Sequence, residues 1–130
     1  MSTRRPTRSQ IEKIVIAALE DIKGKEIEVI STKKLTSLFE SIVIASGDSN
    51  RQVRSLARNV TDKAREAGID ILSTEGEDAG EWVLVDLGDV VVHIMQPAIR
   101  SYYNLEELWG GKGPLRVREA TQSQATDASA

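Results

Sequence analysis

The chain has no cysteine, a single histidine, and only two Trp, two Tyr and one Phe in 130 residues. Without cysteine it can form no disulfide, no thiolate metal site and no cysteine nucleophile. That fits a reducing compartment, and a cytoplasmic location is expected. With one histidine, no Ser-His-acid constellation can be read from spacing. No apolar run approaches the roughly 18 residues that a spanning helix needs. Arg4-Arg5-Pro6 is followed by polar residues, not a short apolar stretch, so no secretory signal is expected. An excess of positive charge is missing too. Seventeen Lys plus Arg stand against 20 Asp plus Glu, for a net charge of -3. This argues against wholesale wrapping by nucleic acid and permits attraction to a basic protein.

What is present is ordinary for a globular protein, 40% hydrophobic and 28% charged, at a length that suits one domain. Thr7 and Gln10 have capping-box spacing, and Ile11, Ile14, Val15, Ala18, Leu19 and Ile22 follow at helical intervals up to Gly24. Ile27–Ile30 reads as a short strand. Ile42–Ala45 is apolar on both faces and so is expected to lie inside a sheet. Ser49 and Gln52 suggest a second capping box, ahead of a core stripe of Val53, Leu56, Ala57, Val60, Ala64 and Ala67 that Gly68 ends. Ile69–Leu72 is expected to be a third short strand, followed by an acidic loop. Pro97 starts a helical turn through Tyr103, and Asn104 can cap a last short helix from Leu105 to Trp109. The order predicts an α/β domain with a mixed five-stranded sheet. Two long helices cover one face, and the other stays open or meets a partner.

The densest stretch is Glu81–Gln96. Two apolar runs meet at Asp86-Leu87-Gly88-Asp89, and a hairpin with Leu87-Gly88 as its two-residue loop would set Trp82 opposite His93. Alternation puts Val83, Val85, Val90, Val92 and Ile94 on a plain core face. Trp82, Leu84, Asp86, Asp89, Val91, His93 and Met95 share the chemically mixed one. A face of that kind is covered by something, either the same chain or a partner.

Each candidate site has a bland reading beside a sharper one. Gly47-Asp48-Ser49 opens a helix, but Asp48 already occupies its positive end, and a plain strand-to-helix turn is the better account. Asp86 and Asp89 could hold Mg²⁺ in a nucleotidyltransferase-type enzyme, although aspartates in a tight turn commonly bond their own backbone. His93 suits a half-buried sheet position, or an interface contact shared with Trp82. Arg51, Arg54, Arg58 and Arg65 fall on one helix face, either solvated or contacting RNA phosphates, as in a small RNA-binding module. Glu75, Glu77, Asp78 and Glu81 form an acidic rim before Trp82, either a solvated loop or the margin of an interface for a basic partner. Tyr102, Tyr103, Leu105, Leu108 and Trp109 suit packing of the last helices on the sheet edge, with one tyrosine left for a binding surface.

Three blocks then stand in order: Ile44-Ala45-Ser46-Gly47-Asp48-Ser49-Asn50-Arg51-Gln52-Val53, Glu81 to His93, and Tyr102 to Gly110. Together they resemble the ribosomal silencing factor (Iojap) family over residues 9–110. Glu40-Ser41, preceded by Phe39, stands where the family usually has Asp and then an aromatic residue. The resemblance implies a nucleotidyltransferase-like fold without a catalytic site, helices mainly on one face, no cofactor and no metal. It implies binding to the large ribosomal subunit through its ribosomal protein number fourteen, so that joining of the subunits is blocked and translation is restrained when nutrients are short. It also implies a tendency to self-associate and no membrane partner. Carried over, the resemblance puts Trp82 and its neighbours on the open sheet face in the ribosome contact. With the acidic rim and the exposed tyrosine added, the expected partner surface comprises Glu77, Asp78, Glu81, Trp82, Leu84, Asp86, Asp89, Val91, His93, Met95 and Tyr102, and the helical spacing of Arg51, Arg54 and Arg58 adds a minor contact to ribosomal RNA. Three segments are expected: a flexible N-terminal segment over 1–8, the domain over 9–110 and a disordered polar tail over 111–130.

Overall fold

The computed structural model describes residues 6–110. Helix α1 (Arg8–Asp21) starts inside the segment expected to be loose. Thr7 accepts from the Gln10 amide, and the Gln10 side chain returns the bond to the Thr7 amide, a complete capping box. Residues 1–5 of that segment and the tail over 111–130 lie outside the described residues. Strand β1 (Lys25–Ser31) and β2 (Ser41–Ser46) lead to α2 (Asn50–Glu66). Then come β3 (Ser73–Glu75), β4 (Trp82–Asp86), β5 (Val90–Met95), α3 (Pro97–Tyr103) and α4 (Leu105–Gly110).

The five strands form one sheet in the order β1-β2-β5-β4-β3. Only β2 and β5 run parallel, and every other pair is antiparallel, so the sheet is mixed as expected. Every residue of β2 and of β5 is buried, as strands covered on both faces should be. One rim is β1, whose pairing breaks between Lys25 and Glu28, with Glu26 at φ 49°. The other rim is β3, three residues long.

The third strand is not where the apolar residues stand. Gly68 and Ile69 are taken up in ending α2, their amides donating to the carbonyls of Arg65 and Ala64 at 3.0 and 2.9 Å. Ile69 turns into the core, and pairing begins only when the Leu72 amide reaches the Asp86 carbonyl at 2.8 Å. The edge strand is therefore the polar Ser73-Thr74-Glu75. Ala67, expected in the core stripe, is the exposed cap of α2.

Helices α1 and α2 pack on one sheet face. Val15, Leu19, Leu56 and Val60 meet Val43, Val83, Val85 and Val92 in the main core. Full burial of each such side chain contributes roughly 1.5–3 kcal/mol before entropy is subtracted. Gln52 ties the two helices together. Its side-chain carbonyl accepts from the Asp48 amide, one residue before the Ser49 cap, and its NH₂ donates to the carbonyls of Ile22 and Lys23 at 3.1 and 3.2 Å. The second capping box is thus only half made, because Gln52 bonds Asp48 and not Ser49.

The opposite face is not left open. Leu105 joins Ile42, Ile44, Val91 and Met95 in a second core, with Phe39 and Trp109 against it, their rings 5.3 Å apart. Arg100, buried in α3, fastens this cover. It donates to Glu106 of α4 at 2.8 Å and to the Ser46 hydroxyl at 2.9 Å, and lies 3.7 Å from Glu28 of β1. Phe39 therefore finds its partner in the last helix, and Ser41 donates to Glu12 of α1 at 2.6 Å. The short helices reach only part of the face, and Trp82 and Leu84 of β4 remain half-buried.

Candidate partner-docking surface

The hairpin is real, but its tip lies one residue later than expected. Trp82 pairs with Met95, Leu84 with His93 and Asp86 with Val91, which leaves Gly88-Asp89 at the tip. The Leu87 amide donates to the Val90 carbonyl at 3.0 Å, and Gly88 takes φ 93°, which a residue with a side chain rarely adopts. Sliding the tip by one residue moves each cross-strand partner by two. Every side chain within the two strands stays on the face that alternation assigned to it, while Asp89 moves into the tip.

Trp82 thus reaches His93 diagonally. The indole N–H donates to His93 Nδ1 at 3.0 Å. An Nδ1 that accepts must carry a lone pair, which places the proton of the neutral ring on Nε2. Burial favours that neutral form and pushes the imidazole down from 6.5 to about 4. On its other side the indole meets Tyr103, ring centroids 4.8 Å apart, and Tyr103 in turn meets Tyr102 at 5.0 Å, nearly edge-on. Tyr102 is 81% exposed and Tyr103 51%. Three aromatic rings therefore run from a half-buried strand position out to the surface.

The expected contact residues divide by depth. Met95, Val91 and His93 are buried in the free chain. They form the floor on which Trp82 and Leu84 rest. Trp82, Leu84 and Asp86 are half-buried, while Glu77, Asp78, Glu81, Asp89 and Tyr102 are exposed. Asp86 is engaged locally, its Oδ1 accepting from the Gly88 amide at 2.9 Å. The acids Glu75, Glu77, Asp78 and Glu81 are exposed and precede Trp82 in the chain, at the end of β3 and in the loop that enters β4.

The arginines lie elsewhere. Arg51, Arg54 and Arg58 are exposed on α2, which packs on the opposite sheet face, and line an open cleft of about 400 Å³ with Asn59 and Asp62. Arg54 does not stand free for RNA, because its guanidinium donates to the Glu77 and Asp78 carbonyls. Among the described residues, Arg51 and Arg58 have no carboxylate within 4 Å.

Two participants were not assigned to the surface from the sequence. Tyr103 carries the contact with Trp82, yet adjacent helical residues point about 100° apart and spacing cannot say which of two tyrosines turns inward. Arg100 holds the flanking helices in place, and a lone arginine on a seven-residue helix leaves no periodic signal.

Residues 5–130 match the family model described as ribosomal silencing factor during starvation. The chain is 60% identical over 105 residues to a ribosomal silencing factor of Chromobacterium violaceum, covering 81% of this chain and 86% of that protein. It is 43% identical over 103 residues to one of Bacillus subtilis, covering 79% and 87%. A crystal structure of a protein from Chromobacterium violaceum superposes with a TM-score of 0.79 at 58% identity, over 83% of this chain and 90% of that one.

Proposed function

The chain belongs to the ribosomal silencing factor family, and we propose that it docks on the large ribosomal subunit through ribosomal protein number fourteen and sterically blocks joining of the small subunit. It does so in the cytoplasm when nutrients are short, and it makes and breaks no covalent bond. The observation that carries this reading is the run Trp82–Tyr103–Tyr102, a rigid aromatic anchor that emerges on a sheet face its own helices cover only in part. Large aromatic side chains seated on a packed floor are the groups that dominate protein interfaces. The acidic loop that leads into Trp82 suits a basic protein and steers encounter more than it deepens affinity.

Arg51 and Arg58 on the opposite face are free to make an accessory contact with ribosomal RNA phosphates. A homodimer formed through the aromatic run would compete with docking. Asp86 serves the hairpin tip, and this favours a binding role for the hairpin over Mg²⁺ chemistry.

Sedimentation with purified large subunits tests the reading, together with the yield of joined subunits when small subunits are added. Wild-type protein is expected to travel with large subunits and lower the yield of joined ones. Trp82→Ala should weaken binding by about 2 kcal/mol, near thirtyfold in Kd. Binding as tight as wild type in that variant would remove the anchor from the interface.

A further inference from the structure

We infer that Arg54 is a positioning residue of the docking surface, shaping from behind the acidic loop that leads into Trp82. This rests on the docking role proposed above. Its Nε donates to the Glu77 carbonyl and its Nη2 to the Asp78 carbonyl, both at 2.9 Å. A guanidinium usually seeks carboxylates, and two stand on these same residues. Both bonds go to the main chain instead. Among the described residues, the carboxylates of Glu77 and Asp78 have no cation within 4 Å, and both residues are exposed. The arginine fixes the loop's backbone and leaves its negative charge unpaired.

The rest of the loop is closed in the same way. The Gly80 amide donates to the Gly76 carbonyl at 3.1 Å, and the Gln96 amide donates to the Glu81 carbonyl at 3.0 Å. The Gln96 side chain bonds Asn50 of α2 and reaches the Gly80 carbonyl at 3.4 Å. Gly80 sits at φ 72°, and a Cβ there would lie 3.0 Å from the Asn50 carbonyl oxygen and 3.2 Å from Arg54 Cζ. The loop can lie this close to α2 because position 80 is glycine. A segment already ordered loses less entropy on binding, so a preset acidic loop favours productive encounter with a basic surface.

Amide exchange on the free protein and association with large subunits are measured for wild type, Arg54→Ala, Arg54→Lys and Lys63→Ala. Lysine keeps the charge but lacks the fork, and Lys63→Ala removes an equal charge from the same helix, where Lys63 faces Glu66 at 3.8 Å. Both Arg54 variants are expected to speed exchange of the Gly80 amide about tenfold, as local opening becomes easier, and to slow association severalfold. Lys63→Ala should match wild type in both measurements. Unchanged Gly80 protection in Arg54→Ala overturns the inference, as does faster exchange with unaltered association. So does full recovery of association in Arg54→Lys, which would make charge the operative property. The exchange measurement needs no ribosome. Failure of wild type to bind large subunits would therefore show separately as failure of the docking role, and would take the inference with it.

Discussion

The Trp82 indole donates to His93 Nδ1 at 3.0 Å, although the hairpin register pairs Trp82 with Met95 and His93 with Leu84. A diagonal bond of this kind locks the indole over a buried, neutral imidazole and makes the exposed aromatic run continuous with the core. Several measurable consequences stem from it and from its surroundings.

Stability should depend on pH through His93. In the unfolded chain the imidazole takes up a proton near 6.5, whereas in the native protein it does so only near 4. Between those values the unfolded state binds more protons, so stability falls as pH drops through this window and levels off below it. The full loss amounts to about 3 kcal/mol. Urea denaturation of wild type and His93→Phe at neutral pH and near the low end of the window checks this. The wild type should lose ground to the variant on acidification, and a constant gap would contradict the assignment.

Trp82→Phe keeps a ring but removes the donor, leaving Nδ1 of a buried imidazole unpartnered. The expected cost is about 1–2 kcal/mol in a denaturant titration. A change below roughly 0.5 kcal/mol would mean that Nδ1 finds another donor or needs none.

Arg100→Met should loosen the C-terminal cover. The buried guanidinium serves Glu106 and Ser46 at once, and its removal leaves both without it, at about 3 kcal/mol. Glu106 is partly exposed and can turn to water, which would soften the loss. Near-ultraviolet dichroism from Trp109, whose ring lies against Phe39, should report the loosening.

Asp86→Ala removes the acceptor for the Gly88 amide at the hairpin tip and should cost about 1 kcal/mol. Asp86→Asn keeps an acceptor oxygen and should cost less than half of that. If instead Asp86→Asn abolished a Mg²⁺-dependent reaction with labelled nucleotide, the aspartate would have a chemical role that its local bond does not suggest.

Much of this fold is legible along the chain because alternation and helical spacing are robust to small errors. The hairpin shows why: its tip was expected one residue early, yet Val83, Val85, Val92 and Ile94 still face the main core. The third strand was misplaced because Ile69 and Ile71 look like strand residues, while Ile69 instead packs into the core beyond the helix end. At the candidate surface, depth was the missing quantity. Alternation puts Val91, His93 and Met95 on the mixed face but cannot say that Leu105 and its neighbours come back over part of it. Arg54 read as a solvent-facing cation because its acceptors lie 23 and 24 residues away.

The two rims of the sheet offer little to a stray strand. One is interrupted where Glu26 adopts its left-handed conformation, and the other presents three polar residues. An incoming β-segment would find too few free backbone groups in line to seed a fibril. Among the described residues, neither edge therefore offers a long, flat ladder on which a second copy could pair through its main chain.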